Sequence, residues 1–207
     1  NMAGNCICDD EACREASKQE IIRRYFDALN ALAKGSTSEK EAQKIELLMN
    51  MAGITVTDRK VVIKALERAK ETDGPAAALE LRDGRIITGK TTNLLGASAA
   101  LLLNVLKVLA GIDHETHIIS PESIEPIQKL KVDYLKSKNP RLHTDEVLIA
   151  LSASAATNPQ ARLALSQLPE LAGCQAHTSV MLSDVDIKIF KKLEVQLTSE
   201  AVYEHAL

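Results

Sequence analysis

The string Gly84-Arg85-Ile86-Ile87-Thr88-Gly89-Lys90-Thr91 satisfies the phosphate-loop pattern G-x-x-x-x-G-K-[ST] letter for letter. In that chemistry successive loop N–H groups cradle phosphate oxygens, and the lysine reaches the outer phosphates. An apolar strand at 76–81 precedes the string and a helix is expected after it, which is the context a phosphate loop needs. The residues between the two glycines argue the other way. Arg85-Ile86-Ile87-Thr88 is β-branched and apolar, suited to a strand, and Arg82-Asp83-Gly84-Arg85 carries the Asp-Gly signal of a hairpin turn. Downstream, no apolar strand ending in Asp stands out as a metal-binding partner. Leu182-Ser183-Asp184 comes nearest, and Asp184 reads more simply as a first-turn helix residue. The expectation is a hairpin, with no phosphate wrapped by residues 84–91. A lesser role stays open. Gly89, Lys90, Thr91 and Thr92 would open the following helix, and helix N-termini offer free N–H donors and a favourable dipole to an anion.

Other polar residues sit at the ends of expected elements. His143 precedes Thr144-Asp145-Glu146, where the threonine is expected to cap a helix and the acids to answer its dipole. Asn158 precedes Pro159 at another helix start. His177 and Ser179 fall on one face of an expected strand. With Gly89, Lys90, Thr91 and Thr92, the residues His143, Asn158, His177 and Ser179 form the candidate ligand-binding set, provided the fold brings them together.

Several chemistries are excluded. Three of the four cysteines crowd into Cys6-x-Cys8-x4-Cys13, a spacing that matches no common zinc site, and they read as free thiols of a reducing cytosol. His114 and His117 occupy a short polar loop with no Glu to complete a metalloprotease pattern, and no metal site is expected. Cys13-Arg14-Glu15 fits half of a zinc-deaminase signature, but the Pro-Cys-x-x-Cys half is missing. Gly-x-Ser-x-Gly elbows and Gly-x-Gly-x-x-Gly fingerprints are absent, so the sequence names neither a reaction nor a cofactor.

The elements that must position these residues are marked by periodicity and punctuation. Three helices fill the first third. One follows Asp9 and carries Ile22, Phe26, Leu29 and Ala33; a second follows a Ser38/Glu41 capping box; a third follows Thr57 and stops at Gly74-Pro75. A hairpin (76–81 with 85–88) leads into a long apolar helix from about Asn93 to Ala110, whose Ala97-Ser98-Ala99-Ala100 allows close approach to a sheet. Further helices start at Pro121, Thr144 and Pro159. The tail reads as strand (176–182), helix after Ser183, and strand (195–198), a short crossover that suggests a parallel βαβ unit. The fold class expected is α/β and helix-rich: a small mixed sheet, hairpin plus C-terminal βαβ, flanked by helices. Residues 1–74 form a helical segment packing on an α/β domain of residues 75–207.

Composition sets the outer limits. Hydrophobic residues make up 45% and charged residues 26% of the 207, so a sizeable core is available. Aromatics are only 2% and the net charge is −3, which supplies neither a basic footprint nor stacking platforms for nucleic acid. The most apolar stretch, Leu94 to Ile112, is broken by Asn104 and Lys107, and a lysine at mid-bilayer costs about 2.5–3.5 kcal/mol. A buried helix is expected there and no membrane span; the location expected is cytoplasmic.

Long motifs then add a resemblance. Ala16 to Tyr25, Asp83 to Thr91, Lys138 to Leu151, Ser154 to Pro159 and Leu168 to Cys174 together are similar to a bacterial protein family catalogued as a domain of unknown function. The similarity spans residues 2 to 206. Members of that family are considerably longer, which implies that this chain is a C-terminal portion whose partners include the N-terminal remainder of the same protein and further copies of it. Some members carry the label of ATP-dependent peptidase, although no Ser/Lys, Cys/His or metal dyad is apparent here. Two functions fit: the ligand-binding half of an enzyme acting on an anionic small molecule, or a non-catalytic oligomerisation or support domain.

Overall fold

The computed structural model describes residues 9–204, so Cys6, Cys8 and His205 lie outside the described residues. In chain order the elements are α1 (Asp10–Ala33), α2 (Glu39–Ala52), α3 (Lys60–Thr72), β1 (Ala76–Glu80), β2 (Ile86–Lys90), α4 (Ala97–Leu109), α5 (Pro121–Lys129), α6 (Thr144–Ser154), α7 (Pro159–Leu165), β3 (Gln175–Thr178), α8 (Asp184–Lys192) and β4 (Gln196–Ser199). The sheet order is β2-β1-β3-β4. β1 runs antiparallel to both neighbours, whereas β3 and β4 are parallel across α8. The expected hairpin and βαβ unit therefore both form, joined into one mixed sheet by the β1–β3 pairing.

Helices cover both faces of this sheet. Ala77, Leu79 and Ala176 belong to the main core with α4, α6, α7 and α8, while Ala78 packs with Val61 and Ala65 of α3. Alternate residues of a strand point to opposite faces, so α3 and α4 lie on opposite sides of β1. This explains why β1 reads Ala-Ala-Ala-Leu with no polar alternation: all four are fully buried. On the α3 side, Ile22 and Phe26 of α1 join Met49 of α2 and Val62 of α3 in a second cluster.

The hairpin turn is built as its residues require. Gly84 takes φ +82°, a conformation that favours glycine, and its N–H donates to Leu81 O at 2.9 Å. Asp83 accepts from the Arg85 N–H at 3.0 Å. Residues 86–90 are then a strand, with Gly89 opposite Ala77. Here the glycine serves packing. A Cβ at Gly89 would stand 2.2 Å from the Leu101 backbone nitrogen, so the small-residue start of α4 lies directly on β2.

Some boundaries differ from expectation. α4 begins at Ala97, because Thr92 Oγ1 accepts from the N–H groups of Leu94 and Leu95 and holds a turn before it. α3 begins at Lys60: Thr55 and Asp58 cap an intervening single turn at 56–58. Ser38 stands at the N-cap of α2 but its side chain makes no capping bond. α5 loosens after Lys129 into a π-helical turn ending at Tyr134. β3 stops at Thr178, four residues early, and Thr178 Oγ1 donates to Val180 O as the chain turns away.

Gly89→Ala is expected to destabilise the protein by about 3 kcal/mol or more, the upper range for overpacking, because the obstructing atoms are backbone. Lys90→Ala, one residue on and exposed, should stay within about 0.5 kcal/mol of wild type. Urea denaturation of the two variants checks the contrast.

Candidate functional site

The structure places the sequence-predicted residues in five separate settings. Lys90 ends β2 and is exposed; it does not begin a helix, since six residues separate it from Ala97. The N–H of Thr91 donates to Pro75 O at 2.9 Å, extending the hairpin, and Thr92 closes the turn before α4. Asn158 caps α7, its Oδ1 accepting from Gln160 and Ala161 N–H groups at 3.0 and 3.3 Å. Ser179 accepts from the Ala76 N–H at 3.0 Å, which puts it across Ala76 from Lys90, about two strand spacings or ~10 Å away. His177 is fully buried on β3, 4.8 Å from the Phe26 ring centroid, between Thr198 Oγ1 (2.8 Å) and Glu200 Oε1 (3.2 Å). Burial pushes its pKa down, against the pull of Glu200, so it is a neutral core histidine. Lys90, His143 and His177 do not converge on one cleft: Lys90 lines a cavity that neither histidine borders.

That cavity, of about 600 Å³, lies where the end of β2, α4, the loop before α5 and α3 meet. Its walls are apolar, from Leu94, Leu95, Leu103, Ile118 and Ile124 among others. Its polar lining is cationic or neutral: Arg68, Lys90, Lys107, His114 and His117, with Thr88, Thr92, Asn93 and Asn104, and no carboxylate among the described residues. Lys107 donates to His114 O at 2.7 Å, and burial lowers its pKa although Glu115 and Asp113 nearby oppose this. Arg68 pairs with Glu71 at 3.1 Å through Nη1, while its buried Nε has no hydrogen-bond partner. Sequence reasoning found Lys90 and Thr92 but placed His114 and His117 only in a solvated loop. Nothing local to that loop reveals that it folds over α4.

His143 belongs to a different cluster. It is the N-cap of α6, and its Nδ1 lies 3.0 Å from the Asp186 carboxylate on α8. Asp186, 3% exposed, also accepts from the Thr144 N–H (2.9 Å), the Thr144 hydroxyl (2.8 Å) and the Ser183 hydroxyl (2.7 Å). Burial would raise the Asp186 carboxyl, but these donors outweigh it and hold the pKa at about 2. The hydrogen bond to Asp186 raises His143 in turn, burial opposing. Beside the pair, buried Lys131 donates to Glu146 at 2.7 Å, and Glu146 accepts from the His143 N–H at 2.8 Å. The sequence pointed to the His143 end of this cluster; Asp186, on the distant α8, carried no signal beyond its place in a first helical turn.

Arg59 was not foreseen at all. It is 1% exposed and spends its guanidinium on Thr198 Oγ1 (3.0 Å), Gln19 Oε1 (3.2 Å), Ala176 O (3.0 Å), Gln175 Oε1 and Gln196 O. Burial, with Arg23 nearby, lowers its pKa to about 10. All its partners are neutral and every donor is used, so it is a structural tie and not an open anion site. Among the described residues, no group of three or more His, Cys, Asp or Glu is placed to hold a metal ion, and no helix is long and apolar enough to cross a membrane.

Comparison with known proteins matches residues 57–207 to the family model "Domain of unknown function DUF1846, C-terminal" and residues 1–53 to "Domain of unknown function DUF1846, N-terminal". The chain belongs to the DUF1846 family. A UPF0371 protein of Corynebacterium aurimucosum is 59% identical over 203 residues, which cover 98% of this chain and 41% of that protein. One from Corynebacterium diphtheriae is 54% identical over 204 residues, and one from Streptococcus thermophilus 48% over 205 residues. The chain thus spans about two fifths of the length of the curated relatives it matches. In this DUF1846 chain the two family models meet at the break between α2 and α3, just before Arg59, whose side chain joins α1 to the sheet.

The His143–Asp186 pair gives a pH signature. Asp186, depressed below its ordinary 3.8, stabilises fully above that value, and its contribution disappears as pH falls toward about 2. His143, raised above its ordinary 6.5, stabilises below that value, and its contribution declines as pH rises through the raised one. The stability difference between wild type and Asp186→Asn should therefore be largest between about pH 4 and 6.5 and shrink on both sides; thermal unfolding across pH 2–9 measures it.

Proposed function

We propose that this chain is the ligand-binding part of a larger cytoplasmic enzyme that acts on an anionic small molecule, and that the ligand occupies the cavity bordered by Lys90 and Lys107. The observation that carries this reading is the lining: five cationic or protonatable side chains around apolar walls, with no carboxylate among the described residues. A volume of about 600 Å³ suits a small molecule. The apolar walls would take an uncharged body, and the lysines would take an anionic head. Lys90 supports the reading as part of a cavity rim and not as a phosphate-loop lysine, since residues 86–90 are strand.

A second reading has an observation of its own. Leu47, Leu48 and Met51 of α2 are 61%, 49% and 78% exposed, and Tyr134 and Leu135 beyond α5 are 72% and 69% exposed. Such surfaces suit contact with the N-terminal remainder of the longer relatives or with another copy of the chain, as in a non-catalytic support or oligomerisation domain.

The test is calorimetry on the full-length protein with octyl phosphate, a nucleoside triphosphate and a sugar phosphate. Octyl phosphate is expected to bind, and Lys90→Ala should weaken it by about 1.5–3 kcal/mol, the worth of a charged hydrogen bond, with the melting temperature unchanged. If none of the three binds, or if Lys90→Ala binds as wild type does, the ligand-binding reading fails and the support-domain reading stands.

A further inference from the structure

The cavity does not account for the polar cluster built on Asp186. Asp186 is buried at the start of α8 and accepts four hydrogen bonds within 3.0 Å, from His143, Ser183 and the N–H and hydroxyl of Thr144. Its bonds to Thr144 explain it as a cap joining the starts of α6 and α8. The bond to His143 is additional to that role and fixes one chemical property. A carboxylate held ionised by three other donors accepts only a proton-bearing Nδ1, so the neutral imidazole keeps its lone pair on Nε2. The ring is 32% exposed, and Nε2 has no hydrogen-bond partner among the described residues. A buried acid that orients a half-open imidazole is the arrangement of a general base and its positioning residue.

We propose that His143 is a catalytic base, positioned by Asp186, that activates water for attack on an ester-like carbonyl. Nε2 takes one proton from water as the water oxygen bonds to the carbonyl carbon. The imidazolium so formed is paired with the Asp186 carboxylate. It returns the proton to the leaving oxygen as the carbon–oxygen bond breaks, so ester and water give acid and alcohol with nothing else consumed. The charged groups facing the ring are Asp186, Glu146 and Lys131; the two carboxylates favour the imidazolium and the lysine opposes it. The place is distinct from the cavity but tied to it. Leu142, next to His143, pairs with Leu95 of the cavity wall, its N–H donating to Leu94 O at 2.9 Å.

The experiment is hydrolysis of p-nitrophenyl acetate by the full-length protein across pH 5–9. His143→Gln keeps an amide donor for Asp186 and should fold, yet lose at least about tenfold of the protein-dependent rate, a modest share of what general-base catalysis supplies. The wild-type rate should rise with a midpoint above that of an ordinary histidine, and Asp186→Asn should move that midpoint down. A rate in His143→Gln within about twofold of wild type would overturn the proposal, as would an unmoved midpoint in Asp186→Asn. Should either variant fail to fold, nitrogen NMR of wild-type His143, titrated until the ring is neutral, decides: a neutral ring with its lone pair on Nε2 supports the proposal, and one protonated on Nε2 refutes it. Neither result bears on whether octyl phosphate enters the cavity, so the two readings fail separately.

Discussion

The backbone of α4 lies directly against Gly89, and the rest of the architecture is arranged around that contact. With no side chain at 89, the Leu101 backbone sits where a Cβ would project. Opposite Gly89 on β1 stands Ala77, and α4 begins Ala-Ser-Ala-Ala, so small residues line both sides of the contact. The helix can then bury nine residues in succession from Ala97 to Leu106, apart from Asn104, against the sheet and against α6 and α7. Asn104 turns its amide to Thr88 O at 2.9 Å, which satisfies it at the margin of this interface. Because α4 is pressed onto β2, the chain between them must fold as a turn, and the space beside that turn becomes the cationic cavity.

On the opposite face of the sheet a buried guanidinium adds directed hydrogen bonds to the apolar packing of α1, α2 and α3. Burying an unpaired guanidinium is costly unless every donor is satisfied, and Arg59 is satisfied by oxygen atoms from α1, β3 and β4. It therefore fixes the α1 end relative to the parallel pair β3–β4, a function no apolar side chain of that size would perform with the same directionality. Thr198 is shared between Arg59 and His177, so the buried histidine belongs to the same network, and burial keeps it neutral against the pull of Glu200. Two of the histidines that sequence reasoning grouped together thus serve unlike purposes: His177 completes a core, and His143 presents a free ring nitrogen.

Local signals in the sequence were legible where the deciding forces are local. The Asp-Gly turn, the all-apolar β1, Pro121 and Pro159 as first helical residues, and Ser183 accepting from the Asp186 N–H all follow from propensity and capping. The hairpin reading of Arg85 to Thr88 was available because β-branched residues do not suit a phosphate nest. Lys90 was misjudged as a helix start because Thr92, Leu94 and Leu95 close a turn whose existence depends on α4 already being seated. Arg59 and Asp186 were invisible for a related reason: each acquires its meaning from partners 40 to 139 positions away. Charge on a lone residue cannot say whether it will face water or a closed ring of acceptors.

The functional reading rests on the cavity beside α4 and not on the Gly-Lys-Thr letters, and these two places can be told apart in one titration. Leu and Ile methyl groups of the full-length protein, together with its backbone amides, can be followed by NMR as octyl phosphate is added. Shifts confined to Leu94, Leu95, Leu103, Ile118, Ile119 and Ile124, with the amides of Gly84 to Ile87 unmoved, are expected. Shifts gathered on the Gly84 to Ile87 amides, with those methyl groups unmoved, would contradict it.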